Sequence, residues 1–253
     1  MIRKLKLCST ITRANNLQYI SDLHVDTRSI GRIPKIYPVS DHLVVCGDIG
    51  NPKHPNFHSF ISKISSQFKK IFIVPGNHDM CCGFHQLDKV NYNQYLINEI
   101  IKNFTNVYYL NQSIHQLDHN YLIAGTILWS QPIITNNHMH NYLIGLNEHN
   151  RQVQWIEKIL KDYDSSNIIM ATHYLPSFQL IEEKYLKRGI QATSRFATDL
   201  EYLIKPPIYA WLCGHSHSVI NKKINGIYCG INAYGYKNEK DLEVAKIKII
   251  ELM

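Results

Sequence analysis

Short, largely apolar runs recur along the chain at 17–20, 43–46, 71–74, 121–125, 168–171 and 208–213. Each is too short for a helix, and together they predict buried strands. Between the second and third runs, Phe57, Phe60, Ile61, Ile64 and Phe68 recur at steps of three and four and predict a helix with one apolar face. Val153, Ile156, Ile159, Leu160 and Tyr163 repeat that spacing, as do Phe196, Leu200, Leu203 and Ile204, and residues 90–104 predict a fourth helix. After residue 217 the helical period stops. Residues 219–220, 227–231 and 242–250 read as strands, with Asn225-Gly226 as a tight turn, and 5–12 as an added edge strand. Residues 131–150, rich in Asn and His, show no period and are expected to form a surface insertion or lid. Strands alternating with helices, then strands alone, predict a layered α/β fold with a sheet-rich end, as one domain over residues 1–253.

Composition narrows the class. With 45 % hydrophobic residues in 253, the chain can bury a sizeable core, which excludes disorder. No apolar run approaches the ~18 residues a membrane span needs. The first eight residues mix charge with apolar side chains and contain no secretory core, so a cytoplasmic protein is expected. The formal charge of +7 favours anionic partners. The basic residues are scattered, however, with no patch interleaved with aromatics and no added DNA-binding segment, so long nucleic acid is not the favoured partner. None of the six cysteines has C-x-x-C spacing, which argues against a thiolate zinc site. Cys46 and Cys213 end apolar runs as small buried thiols, and Cys81-Cys82 reads as two packed thiols ahead of a redox switch.

The residues with chemistry to offer stand just after the strands. Asp22 and His24 come after the first, Gly47-Asp48 after the second, and Gly76-Asn77-His78-Asp79 after the third; His173 comes after 168–171, and Gly214-His215-Ser216-His217 after 208–213. Ligands of open α/β sheets gather at the carboxyl ends of strands, so these five loops are expected to converge on one crevice. In an extended segment residues two apart point the same way, which would aim Asp22 with His24, and His215 with His217, into it together. The Asp and Asn oxygens of 22, 48 and 77 and the imidazoles of 24, 173, 215 and 217 exceed what one four-coordinate ion can use. Two ions sharing one carboxylate account for them all, and the oxygen–nitrogen mixture suits Mn, Fe, Zn or Co.

The sequence here resembles the calcineurin-like metallophosphoesterases. Their five-part signature, D-x-H, G-D, G-N-H-D/E, H and G-H-x-H, is present in order from Asp22 to His217, and residues 125–130, 196–204 and the tail after 217 look like the small single-domain members. The resemblance implies a two-sheet β-sandwich flanked by α-helices. It implies one divalent ion on Asp22, His24, Asp48 and His217, and a second on Asp48, Asn77, His173 and His215, with manganese the first choice. It also implies that His78 contacts the phosphoryl group or protonates the leaving oxygen, that Asp79 orients His78, and that a bridging hydroxide is the nucleophile.

Two departures bear on the substrate. Tyr174 stands where small relatives often carry a second histidine, which makes its hydroxyl, with Asn77, a candidate substrate contact. The protein-phosphatase branch carries Arg just after G-D and just before G-N-H, where this chain has Ile49-Gly50 and Val74-Pro75. A dianionic monoester would lack that guanidinium clamp. The expected substrate is therefore a phosphorylated small molecule, with a nucleotide-type phosphodiester favoured. The alternatives are a metal-dependent nuclease and a catalytically silent scaffold, and Arg28, Lys187, Arg188 and Arg195 are cations left without an assigned role.

Overall fold

A computed structural model describes residues 13–80, 87–131, 133, 139–236 and 245–252; the expected strand at 5–12 and Cys81-Cys82 lie outside the described residues. Two mixed sheets face each other. The first holds β1 (Asn16–Ile20), β2 (His42–Cys46), β3 (Lys70–Val74) and β4 (Val107–Tyr109), all parallel, and β11 (Ile249–Glu251), antiparallel to β1 with Asn16 opposite Glu251. In the second, β6 (Tyr121–Thr126), β7 (Asn167–Thr172), β8 (Ile208–Cys213) and β10 (Ile227–Asn232) run parallel, with β5 (Ser113–Gln116) and β9 (Val219–Ile224) antiparallel at the edges.

Alternation along the strands builds three apolar layers. Leu17, Tyr19, Val44, Cys46, Phe72 and Val74 of the first sheet meet Ile123, Ile169, Ala171, Ala210 and Leu212 of the second. The intervening Leu43, Val45, Ile71 and Ile73 turn outward onto Phe57, Phe60, Ile61 and Ile64 of α1 (Pro55–Ser65) and Ile97 and Ile101 of α2 (Leu87–Ile101). On the far side Ile156, Ile159 and Leu160 of α3 (Met139–Asp162) cover Ile168, Met170, Ile208 and Trp211. The α1 start follows from its sequence: Pro55 opens it, where a missing N–H costs nothing, and His54 Nδ1 accepts the Asn56 amide at 3.2 Å. Asn225 and Gly226 both have positive φ and join β9 to β10, as expected. Among the described residues, no helix is long and apolar enough to cross a membrane.

Three expectations differ from what forms. The described part of 131–150 is not an unstructured insertion, since α3 begins at Met139. Its period was hidden because the buried face carries His149 and Gln152, which bond the carbonyl and amide of Trp129 in place of apolar packing. The predicted helix at 196–204 is absent. The Leu175 amide donates to the Phe196 carbonyl (3.1 Å) and the Thr198 amide to the Leu175 carbonyl (3.2 Å), which leaves one short 3-10 turn, Glu201–Leu203. The strand expected at 242–250 is limited, over its described part, to β11, and the short β4 and β5 were not anticipated. Two four-residue helices, α4 (Glu183–Leu186) and α5 (Ile190–Thr193), precede that loop.

Candidate metal centre

Because β1, β2, β3 and β7, β8, β10 run parallel within their sheets, each group's carboxyl ends share one edge, and backbone hydrogen bonds join the loops there. The Asp22 amide donates to the Gly47 carbonyl (3.0 Å), His24 to Asp48 (3.1 Å), Gly214 to His173 (3.0 Å) and Gly235 to Asp22 (2.9 Å). The expectation of extended D-x-H and H-x-H segments is corrected. Asp22, His24, Asp48, His215 and His217 all adopt positive φ, from 43 to 66°. Non-glycine residues rarely sit there, and the tight turns they impose are what bring the side chains inward. Gly47 (φ 84°) and Gly76 must lack side chains, since a Cβ would run into the His173 ring at the first and the Asp48 carboxylate at the second.

Among the described residues, three groups have potential ligand atoms within 4.8 Å of one another: Asp22 with His24 and His217; Asp48 with His173 and His215; and His24 with Asp48 and His78. Asp48 therefore belongs both with His24 and with the His173 pair. Its Oδ2 is 3.9 Å from His24 Nε2 and its Oδ1 is 3.4 Å from His173 Nε2. His24 Nε2 and His217 Nε2 lie 3.0 Å apart, and His173 Nε2 lies 2.9 Å from Asn77 Oδ1. Nitrogen and oxygen lone pairs converging like this fit a divalent cation. His173 Nδ1 faces the Cys46 carbonyl (2.9 Å), and His215 Nε2 the Arg195 carbonyl (3.3 Å). Donating there fixes which nitrogen of each ring is turned toward a cation, the arrangement that orients ligating histidines.

The protonation states are uneven. Burial holds His24 and His215 down at about 3, so both are free bases at neutral pH. Burial also pulls on His173, but the Asp48 carboxylate outweighs it and, with Asp22 and the Cys46 carbonyl, holds the ring up at about 9. Asp48 lies well below the usual carboxylate range: its burial is overcome by the charge and hydrogen bond of His173. A cation must therefore displace the His173 proton. Burial also raises Asp22, so uptake by the metal-free chain is expected to release at least the His173 proton at pH 7 and to tighten by roughly tenfold or more per pH unit. The gain should level off near pH 9, where His173 has lost its proton. Calorimetry in buffers of different ionisation enthalpy measures both, and an affinity flat from pH 7 to 9 would contradict the assignment.

Asp79 is placed differently from the expected pairing with the His78 ring. Its Oδ2 accepts the amides of Asp48 (3.0 Å) and Gly76 (2.7 Å), and its Oδ1 accepts that of Gly50 (2.7 Å). It ties the β2 and β3 loops together, although burial and the Asp48 charge push it up to about 8. Asp79→Ala should orphan three buried amides and cost roughly 3 kcal/mol or more in urea unfolding, with Asp79→Asn recovering part. A loss below ~1 kcal/mol would remove this role.

His78 is held otherwise. Its amide donates to Asp48 Oδ1 (2.8 Å), and its Nε2 lies 3.0 Å from the Tyr236 hydroxyl. Tyr236 also stacks on His24, with centroids 4.1 Å apart at 24°, and meets His217 edge-on at 4.8 Å. The sequence reading missed it. The signal was available, since Tyr236 lies just beyond the carboxyl end of β10, but β10 was not identified as parallel to β8. Tyr174 is buried, with its ring 4.0 Å from that of His215, so it walls that histidine.

The sequence profile of the calcineurin-like phosphoesterases matches residues 19–219. An uncharacterized protein, L509, of Acanthamoeba polyphaga mimivirus is 30 % identical over 265 aligned positions, covering 89 % of this chain and 92 % of that one. Among solved structures, a phosphopantetheinyl hydrolase from Mycobacterium tuberculosis shares the fold with a TM-score of 0.63 at 15 % identity, covering 88 % of this chain and 90 % of that one. The TT1561 protein of Thermus thermophilus superposes with a TM-score of 0.57 at 12 % identity, covering 94 % and 99 %.

Proposed function

The chain belongs to the calcineurin-like phosphoesterase family of metal-dependent hydrolases, and from that membership we propose that it cleaves phosphodiesters of small, nucleotide-like alcohols at a two-metal centre. The observation that carries the reading is Asp48, which presents one oxygen to the His24 side and the other to the His173 side. Asp22, His24, Asp48 and His217 would hold one ion, and Asp48, Asn77, His173 and His215 the other, with manganese the first candidate. Such ions, when bound, supply Lewis acidity to the phosphoryl oxygens and make water a nucleophile at neutral pH.

The chain's own residues do the rest. Asp22 and Asp48 balance part of the cationic charge, leaving a net positive site for an anionic phosphate. His78, its backbone pinned by Asp48 and its Nε2 beside the Tyr236 hydroxyl, is placed to pass a proton to the leaving oxygen. Preference for a diester is supported by the residues flanking the ligands. Ile49 and Val74 are fully buried apolar groups where a guanidinium clamp would stand. One domain over 1–253 is part of the same reading, supported by β1 and β11, from opposite ends of the described chain, pairing in one sheet.

The test is hydrolysis of matched aryl mono- and diesters by metal-free and Mn²⁺-reconstituted protein. Activity is expected only after reconstitution, with the diester cleaved at the higher kcat/KM. Full activity in a verified metal-free preparation would defeat the two-metal reading. A tenfold monoester preference would defeat the substrate class, and no hydrolysis of either ester would favour a scaffold.

A further inference from the structure

We propose that the segment from Lys184 to Phe196 is a subsite for the nucleobase of the substrate, resting on the phosphoesterase reading above and deepening it. Sequence reasoning found no basic patch interleaved with aromatics. The structure brings one together beside the second candidate ligand set. The Arg195 carbonyl faces His215 Nε2 at 3.3 Å, and the Phe196 ring, freed from the expected helix, lies 5.2 Å from the His215 ring. Tyr185 stacks on Phe196 with centroids 6.1 Å apart at 24°. The rings therefore step outward from the metal-binding histidine to the surface.

Cations accompany this row. The Lys184 ammonium is 4.7 Å and the Arg188 guanidinium 5.1 Å from the centre of the Tyr185 ring. Lys184 is also paired with Glu182 (2.5 Å), and Lys187 with Glu183 (3.4 Å). Arg188 and Arg195, both exposed, have no carboxylate partner among the described residues. An ordinary solvated face would neutralise its charges and bury its rings. Here the unpaired Arg188 guanidinium adjoins the face of Tyr185, and Leu186 and Ile190 stand 43 % and 54 % exposed.

Rings and cations in alternation are how proteins hold nucleobases without reading their sequence, because every base offers a π-face and its phosphate a negative charge. A saturated acyl chain would gain nothing from the guanidinium groups, and a bare sugar phosphate nothing from the rings. A base attached through a sugar to the scissile phosphate uses both.

The experiment compares adenosine 5′-monophosphate with ribose 5-phosphate, the same phosphate without the base, by calorimetric binding to Mn²⁺-loaded protein. Free phosphate is monitored to show that both ligands stay intact. The nucleotide is expected to bind at least tenfold more tightly, about 1.4 kcal/mol. Tyr185→Ala and Arg188→Ala should each shrink that ratio below threefold, with metal stoichiometry confirming an intact centre. Equal affinities for the two ligands, or a ratio that survives both substitutions, would overturn the subsite. A ten-residue oligonucleotide binding more than tenfold tighter than the mononucleotide would overturn it in favour of a strand track. Each outcome is read from binding, so a failure here is distinct from a failure to hydrolyse esters.

Discussion

Asp48→Ala is expected to strip the chain of both ions of the proposed centre and to lower kcat/KM by roughly 10⁴-fold or more, about 5.5 kcal/mol of transition-state stabilisation. The expectation comes from its two oxygens, which face different histidine groups at 3.4 and 3.9 Å. Asp22 and His217 face only one of those groups, so His217→Ala should leave a chain that binds about one ion and keeps part of the proton-transfer machinery. Asp48 also accepts the His78 amide at 2.8 Å, and an alanine there could disturb the loop as well as the metals. Asp48→Asn separates the two effects. It keeps an oxygen for that amide and nearly the same volume while removing the charge, so folding should survive and metal retention should not. Metal content by mass spectrometry, measured beside kcat/KM, decides the matter. Two ions per chain and unimpaired turnover in Asp48→Asn would end the shared-carboxylate reading.

The loops that carry these residues were legible because the strands before them are short, largely apolar runs. Once those were placed, the rule that ligands gather at strand ends put Asp22, Asp48, Asn77, His173 and His215 on the same edge. What stayed hidden depended on partners far away in sequence. The helical spacing of Phe196, Leu200, Leu203 and Ile204 was genuine, but backbone pairing with Leu175 outweighed it and turned Phe196 toward His215. The helical period around the middle of α3 was concealed by His149 and Gln152, polar residues buried where they bond the Trp129 backbone. Asp79 stands in a motif beside His78, yet its oxygens serve amides 3, 29 and 31 residues away, which no local pattern records. Tyr236 was missed for a topological reason: a strand's carboxyl end marks a site only when its direction in the sheet is known.

His78→Ala is expected to leave metal content near normal and to lower turnover by about 10²–10⁴, the usual worth of a positioned proton donor or acceptor. Geometry leaves two roles open, since His78 falls within 4.8 Å of ligand atoms of His24 and Asp48 and could be taken for a ligand itself. Its surroundings favour proton transfer. The Nε2 is occupied at 3.0 Å by the Tyr236 hydroxyl, and the ring stands edge-on to His24 at 86° rather than joining the row of converging lone pairs. A proton donor matters only when the leaving group is a poor one. The loss should therefore be large for alkyl or nucleoside esters and shrink toward tenfold for nitrophenyl esters, whose oxyanions depart unaided. Tyr236→Phe keeps the ring on His24 and removes only the hydroxyl, so it should reproduce the same leaving-group trend with a smaller loss, roughly tenfold for poor leaving groups. A plot of log kcat against leaving-group pKa for wild type and both variants tests the pair together. A uniform loss across all esters, or departure of an ion from His78→Ala, would make His78 a ligand and leave the proton to be supplied by another group.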